Sequence, residues 1–389
     1  MRSLIRQWLE GAPWWTRPFI SVGWSAYSRA RAMLSRSSQR HYCRALAGLS
    51  DYNLCINSDM SVSCNCQDFS GMGRLGDLKS QTLEQVLTGP TARSFQERLL
   101  AGQYPTDVCP RCDDLASAEA DVTIDAVYPG RLPTGGIMVE NTARCNLRCA
   151  LCDREAILAS RSQPSLSFED VAEIASTLTR CGIEKVSYFN LGEPFLSPHI
   201  LEEVRILREA CPDVELVTST NGLALGAAHK MEAAMMMDYI CYSLDGVDQT
   251  SAERYQQGTD YEKAFDNLRQ LVEERERRRS SLGPDSRTPT IEWKYVLFRW
   301  NNRARHIRKA IELAKALRVD MIAFYPGGAP LGSRSFRHLY DRSLRAAEWR
   351  PDGSAALRVS NLKAMLLVWW NELGLVELAT LLEVVPLAA

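Results

Sequence analysis

The stretch Val139-Glu140-Asn141-Thr142-Ala143-Arg144-Cys145-Asn146-Leu147-Arg148-Cys149-Ala150-Leu151-Cys152 decides the fold. Cys145, Cys149 and Cys152 fall within eight residues, directly after an apolar run that reads as a strand. Thiols this close cannot pair as ordinary disulfides with one another. They can ligate three irons of a cubane 4Fe–4S cluster, a centre that normally takes four cysteine thiolates. The fourth iron then has no protein ligand and is open to a small molecule. A zinc knuckle is the competing reading. Zinc wants four tetrahedral ligands, often from two Cys-x2-4-Cys pairs. No histidine lies near this loop, His41 and His199 being the closest in sequence.

Downstream of Gly135 the chain alternates apolar strand-like runs with amphipathic helical runs. The periodicities predict strands at 135–141, 184–191, 214–219, 237–244, 290–299 and 320–325. They predict helices at about 168–181, 198–210, 225–236, 261–279 and 302–317. Glycine and proline punctuate the joins, as in Gly192-Glu193-Pro194, Asn221-Gly222 and Pro326-Gly327-Gly328. This alternation implies an α/β fold with a parallel sheet and covering helices. Six strands are too few for a closed eight-stranded barrel, so an open, partial (β/α)6 barrel is expected. In such sheets the site lies at the carboxyl ends of the strands, where the cysteine loop falls.

Upstream lies a second cysteine block. It reads Cys55-x8-Cys64-x-Cys66, then Leu75-Gly76-Asp77-Leu78, a helical run from Thr82 to Gly102, and Cys109-Pro110-Arg111-Cys112. The expected organisation is a basic arm at 1–42, a cysteine-rich domain at 43–130, the barrel at 131–328 and a helical extension at 329–389. Cys181, Cys211 and Cys241 sit in apolar contexts and read as core residues.

Composition narrows the class. With 389 residues the chain can bury a sizeable core. Its formal net charge of -1 gives no reason to expect nucleic acid as a partner. Twelve cysteines without a signal peptide favour a reducing, cytoplasmic setting with metal or redox chemistry. No run of eighteen apolar residues predicts a transmembrane helix. The first forty residues differ, with arginines at 2, 6, 17, 29, 31, 36 and 40, one acid, Glu10, and Trp8, Trp14, Trp15 and Trp24. Such an arm suits peripheral contact with a membrane surface, docking to an acidic partner, or packing on its own protein.

The cysteine triad, followed in order by Gly192-Glu193-Pro194 after the second strand, resembles the radical S-adenosylmethionine (radical SAM) superfamily over about 135–326. The resemblance implies that the open iron chelates the amino and carboxylate groups of S-adenosylmethionine. An electron from the cluster then cleaves the sulfonium to a 5′-deoxyadenosyl radical. Gly192, Glu193 and Pro194 match the motif that receives the methionine amino group, where a slim turn exposes carbonyls and a carboxylate adds charge-assisted bonding. Ser219 and Asn221 end the third strand and Ser243 the fourth. They resemble segments that touch the ribose and carboxylate of the cofactor, although the same residue types suit ordinary turns. Tyr325, in Phe324-Tyr325-Pro326, is expected on the adenine. Leu151 stands where many members carry an aromatic residue, which removes one adenine contact.

The upstream block resembles the SPASM/twitch type of auxiliary cluster domain. That implies an auxiliary 4Fe–4S cluster on Cys55, one of Cys64 and Cys66, Cys109 and Cys112, with zinc as the competing metal. Such domains usually follow the barrel, whereas this block precedes it. The absence of cysteine after Cys241 leaves no ligands for a second auxiliary cluster.

The expected function is a radical SAM enzyme that takes hydrogen from an unactivated C–H bond of a small molecule, leading to oxidation or rearrangement. A carbohydrate is favoured because no peptide-recognition domain of the winged-helix sort precedes the barrel. A maturase acting on a peptide or protein is the alternative, and a non-catalytic iron–sulfur or zinc scaffold is a third reading. A flavodoxin- or ferredoxin-type protein is the expected electron donor.

Overall fold

A computed structural model describes residues 40–327 except 51, 53, 67, 69, 70 and 283–286, together with 333, 335, 348–349 and 355–356. The basic arm at 1–39 and nearly all of the C-terminal extension lie outside the described residues.

Six parallel strands follow one another across the sheet: β6 (Ile137–Val139), β7 (Lys185–Ser187), β8 (Glu215–Thr220), β9 (Tyr239–Ser243), β10 (Thr290–Leu297) and β11 (Met321–Pro326). Between them run the helices Phe168–Cys181, Ile200–Ala210, Ala228–Met235, Tyr261–Leu282 and Ala304–Leu317. All six strands and five helices fall where the periodicities predict them. The sheet is linear in order, with β11 at one edge, so the barrel stays open.

The helix Phe168–Cys181 shows why these boundaries are sharp. Ser167 and Asp170 form a reciprocal capping box at its start, and Gly182 closes it in the left-handed conformation at φ 63. Val171, Ile174, Ala175 and Leu178 recur at helical spacing and are buried. Each large aliphatic side chain so buried contributes roughly 1.5–3 kcal/mol.

The upstream block, expected as a cysteine-rich domain at 43–130, shares a sheet with the barrel. Its strands β2 (Cys55–Ile56), β3 (Ser61–Ser63) and β4 (Arg74–Asp77) continue the barrel sheet in the order β6-β2-β3-β4. β2 pairs parallel to β6, with Met138 N donating to Leu54 O and Glu140 N to Ile56 O, each at 2.9 Å. An unpaired edge at β6 would leave a row of backbone donors and acceptors open, and this hairpin fills it. The helices Leu83–Thr88 and Pro90–Leu100 follow, and a small antiparallel pair, β1 (His41–Cys43) with β5 (Leu115–Ser117), stands apart.

A buried ion pair locks the hairpin to the barrel. Arg161 Nε donates to Glu140 Oε1 at 2.7 Å, and Arg161 Nη2 donates to Asn57 Oδ1 at 2.8 Å. Asn190 Nδ2 donates to Glu140 Oε2 at 3.0 Å.

Candidate active site

The cysteine loop leaves the carboxyl end of β6 and is pinned on every side. Ala143 N donates to Pro164 O at 2.9 Å, Arg148 N to Gln257 O at 3.0 Å and Ala150 N to Tyr255 O at 2.9 Å. Leu147 is buried beneath the loop, while Leu151 is exposed. Cys145, Cys149 and Cys152 are all partly buried. Burial pushes all three thiols up, Cys145 to about 11. Unligated, they would be neutral at pH 7; a metal centre deprotonates a coordinating thiol outright. Three thiols on a fixed loop, without a histidine or carboxylate among them, are the donor types of an iron–sulfur centre, although among the described residues no three ligating groups stand close enough together to hold a metal ion.

The Gly192–Pro194 turn packs directly on this loop. A Cβ at Gly192 would stand 1.8 Å from Thr142 O and 3.1 Å from Arg144 O, so only glycine permits the approach. Glu193 N donates to Arg144 O at 2.8 Å. The Glu193 side chain is buried and already engaged. Oε1 accepts from Phe195 N at 3.2 Å and from Thr220 Oγ1 at 2.7 Å, and Oε2 accepts from Asn221 N at 2.7 Å. Burial still pushes its carboxyl up to about 7. An ionised carboxylate offers about four lone-pair sites, so one is left for an ammonium, beside the carbonyls of the turn. Glu193 therefore ties two strand ends together as well. Thr220 carries out that tie, yet a hydroxyl facing a core gives no signal in the sequence.

The other strand-end residues divide into two groups. Asn221 Nδ2 donates to Asn146 Oδ1 at 2.9 Å and stands 3.8 Å from Cys145 Sγ, so this side chain touches the cysteine loop. Ser219 Oγ and Ser243 Oγ lie 3.4 Å apart across β8 and β9. Tyr325, expected on the adenine, is tied through its hydroxyl to the neighbouring strand, where it donates to Glu292 Oε1 at 2.9 Å. Gln256, absent from the sequence reading, bridges Asp245 N and Ser243 O with its buried amide, at 2.9 Å to each.

A second cavity lies beside the helix Pro90–Leu100. Cys43, Cys64, Cys109 and Cys112 line it, together with Asn65, Leu99, Thr106, Val108 and Leu115. Cys109 and Cys112 sit at the start and end of a single 3-10 turn. Asn65 Nδ2 donates to Cys112 Sγ at 3.1 Å, and Thr106 Oγ1 lies 3.2 Å from Cys109 Sγ. Of the expected ligands, Cys64, Cys109 and Cys112 meet here, together with Cys43. Cys55 is on β2, next to Asn190 and the Glu140 ion pair, and does not line the cavity. Cys64 lines the cavity and Cys66 does not. Cys43 enters because β1 pairs with β5, setting Cys43 opposite Leu115 three residues after Cys112. Spacing in sequence carries no trace of that pairing.

No helix among the described residues is long and apolar enough to cross a membrane.

Comparison with known proteins bears on the triad. Residues 139–283 match the radical SAM superfamily. GTP 3′,8-cyclase of Streptomyces coelicolor is 35% identical over 128 residues, 32% of this chain and 36% of that protein. GTP 3′,8-cyclase of Chlorobaculum tepidum is 32% identical over 136 residues, 34% of this chain and 40% of that protein. The chain thus spans well under half the length of the curated relatives it matches. Among solved structures, Streptococcus suis SuiB bound to S-adenosylmethionine aligns with a TM-score of 0.38 at 12% identity, covering 73% of this chain and 63% of that one. The strand-end triad, the Gly192–Pro194 turn packed upon it and the match over 139–283 identify this part of the chain as a radical SAM domain, the cofactors of which are a 4Fe–4S cluster and S-adenosylmethionine.

Proposed function

We propose that this enzyme takes a hydrogen atom from a small molecule held in the open barrel. We propose further that the four-cysteine cavity holds an auxiliary 4Fe–4S cluster that receives the electron left on the product. The observation that carries the reading is the convergence of the triad, the Gly192–Pro194 turn and the Ser219/Ser243 pair at one mouth of the sheet. When bound, the cluster and S-adenosylmethionine supply the radical chemistry. The chain's own residues then have defined tasks. Cys145, Cys149 and Cys152 hold three irons. The turn's carbonyls and the spare lone pair of Glu193 orient an ammonium. The Ser219 and Ser243 hydroxyls hydrogen-bond the ribose or carboxylate. For a net oxidation the substrate would lose one hydrogen atom to the 5′-deoxyadenosyl radical, giving 5′-deoxyadenosine, and then one electron to the auxiliary cluster and one proton to solvent or a base.

The substrate is the open part of the proposal. The relatives named above carry the name GTP 3′,8-cyclase, which lends no support to the carbohydrate favoured by sequence. GTP is therefore the first compound to test, with peptides as the alternative. A flavodoxin- or ferredoxin-type donor is proposed as the electron source.

The test is anaerobic reconstitution followed by reaction with S-adenosylmethionine and dithionite. Wild type should yield 5′-deoxyadenosine and Cys149→Ala should yield none. No product from a fully loaded wild type would favour the scaffold reading. Two 4Fe–4S clusters require about eight irons per chain. Cys43→Ala combined with Cys112→Ala should leave about four, and Cys55→Ala should leave the count unchanged. Four irons with one tightly bound zinc in wild type would overturn the auxiliary cluster.

A further inference from the structure

The last strands of the barrel have two unlike faces. Ile240 and Tyr242 on β9, Ile291, Trp293 and Tyr295 on β10, and Ile322 and Phe324 on β11 belong to the hydrophobic core. Alternation along the strands turns the other set to the opposite face: Ser219, Cys241, Ser243, Glu292, Lys294 and Tyr325. A barrel interior that is only a core is dominated by bulky branched aliphatics. This one carries hydroxyls, a thiol, a carboxylate and an ammonium.

Their pairing is uneven. Glu292 is fully buried, and its carboxylate is satisfied without a cation. Tyr325 donates to Oε1, Tyr239 donates to Oε2, and Cys241 Sγ stands 3.9 Å from Oε1. Lys294 shares its level on the sheet with Ser243 on one side and Ala323 on the other. Its ammonium sits 5.5 Å from the centroid of the Tyr325 ring. Among the described residues that ammonium has no hydrogen-bond or ion-pair partner. It is half-buried and offers three donors. Asp245 and Cys241 feel its charge without a hydrogen bond to it, and a cation inside a low-dielectric cleft concentrates anions there.

We propose that Lys294, beside the hydroxyl of Ser243, receives an oxyanion inside the barrel, and that the substrate is accordingly a small organic anion carrying a carboxylate or phosphate. This rests on the reading of the barrel as the reaction chamber. Two molecules could bring the oxyanion: the substrate, or S-adenosylmethionine through its own carboxylate. Glu292, with Tyr239 and Tyr325, closes the chamber below the ammonium and repels a second negative group there. The anion is thereby held at the level of Ser243.

The experiment compares reconstituted wild type, Lys294→Gln and Lys294→Arg at matched iron content and melting temperature. One arm measures S-adenosylmethionine affinity by equilibrium dialysis. The other measures binding of inorganic phosphate and of malonate, with S-adenosylmethionine present, by calorimetry. Losing a charge-assisted hydrogen bond should weaken anion binding by about tenfold or more in Lys294→Gln, with recovery in Lys294→Arg and unchanged S-adenosylmethionine affinity. If S-adenosylmethionine affinity falls instead and neither anion binds wild type, the receptor stands but the substrate class is overturned. Equal behaviour of all three proteins in both arms overturns the proposal. Anion binding does not depend on turnover. A wild type that binds anions through Lys294 yet forms no 5′-deoxyadenosine would therefore count against the proposed function alone.

Discussion

Gly192→Ala tests how the cysteine loop and the cofactor turn depend on each other. The added Cβ would fall 1.8 Å from Thr142 O and 2.8 Å from Thr142 C, both backbone atoms with no flexible end to yield. Ordinary contact begins near 3.4 Å, so the turn must recede by more than an ångström. The Glu193 N to Arg144 O hydrogen bond, now 2.8 Å, would not survive that shift. Overpacking costs about 1–3 kcal/mol and a lost hydrogen bond about 1 kcal/mol, together about 2–4 kcal/mol. For a domain of this size that lowers the melting temperature by roughly 5–10 °C. The assay is thermal unfolding of the reconstituted protein, alongside equilibrium dialysis with S-adenosylmethionine. Affinity should fall at least about tenfold, because the displaced carbonyls no longer meet the ammonium. Gly226→Ala is the control. Its Cβ would meet Asn267 Oδ1 at 3.5 Å, an ordinary contact, and should change stability by less than about 0.5 kcal/mol. A Gly192→Ala protein that melts with wild type and binds the cofactor equally well would refute the reasoning.

Three further outcomes follow from the same geometry. Burial pushes the Asp245 carboxyl up to about 7, so the folded state holds a proton that the unfolded state releases near pH 4. Stability should therefore fall as pH rises from about 4 to about 7 and level off above, by on the order of 3–4 kcal/mol. Asp245→Asn should flatten that decline in pH-dependent urea unfolding, leaving the smaller slope that Glu193, also pushed up to about 7, contributes. Removing one partner of the buried Arg161–Glu140 pair should cost about 3–5 kcal/mol, read as a lower melting temperature in Arg161→Met. Adding Glu140→Gln should return part of the loss, and no recovery would mean that packing alone explains it. For the arm at 1–39 we propose contact with an anionic membrane surface. Full-length protein should sediment with anionic but not neutral liposomes, less so at high salt, and a version starting near Ser38 should not. Equal sedimentation of the two would dismiss the idea.

How much of this was legible in sequence depended on the range of the interaction responsible. Six strands and five helices were readable because periodicity and capping are local. Ser167, Asp170 and Gly182 set both ends of the helix Phe168–Cys181 from within fifteen residues of one another. The triad was readable for the same reason, since Cys145, Cys149 and Cys152 belong to a single loop. The Gly192-Glu193-Pro194 turn was recognisable as a motif. That Glu193 is also a buried clasp holding Thr220 and Asn221 depends on two strand ends meeting in space.

Tertiary structure alone decided the rest. That Cys43 lines the second cysteine cavity and Cys55 does not follows from two pairings. β2 joins the barrel edge and sets Cys55 beside Asn190, and β1 pairs with β5 and brings Cys43 beside Cys112. The polar interior of the barrel was hidden in the same way. Cys241 reads as a core residue in an apolar strand, and Tyr325 as an aromatic contact for the cofactor. Only strand register sets them beside Glu292 and Lys294. Sequence specifies which residues share a strand face, because side chains alternate along the chain. It does not specify which strand stands next, because that is settled by long-range burial and by backbone pairing between segments far apart in the chain.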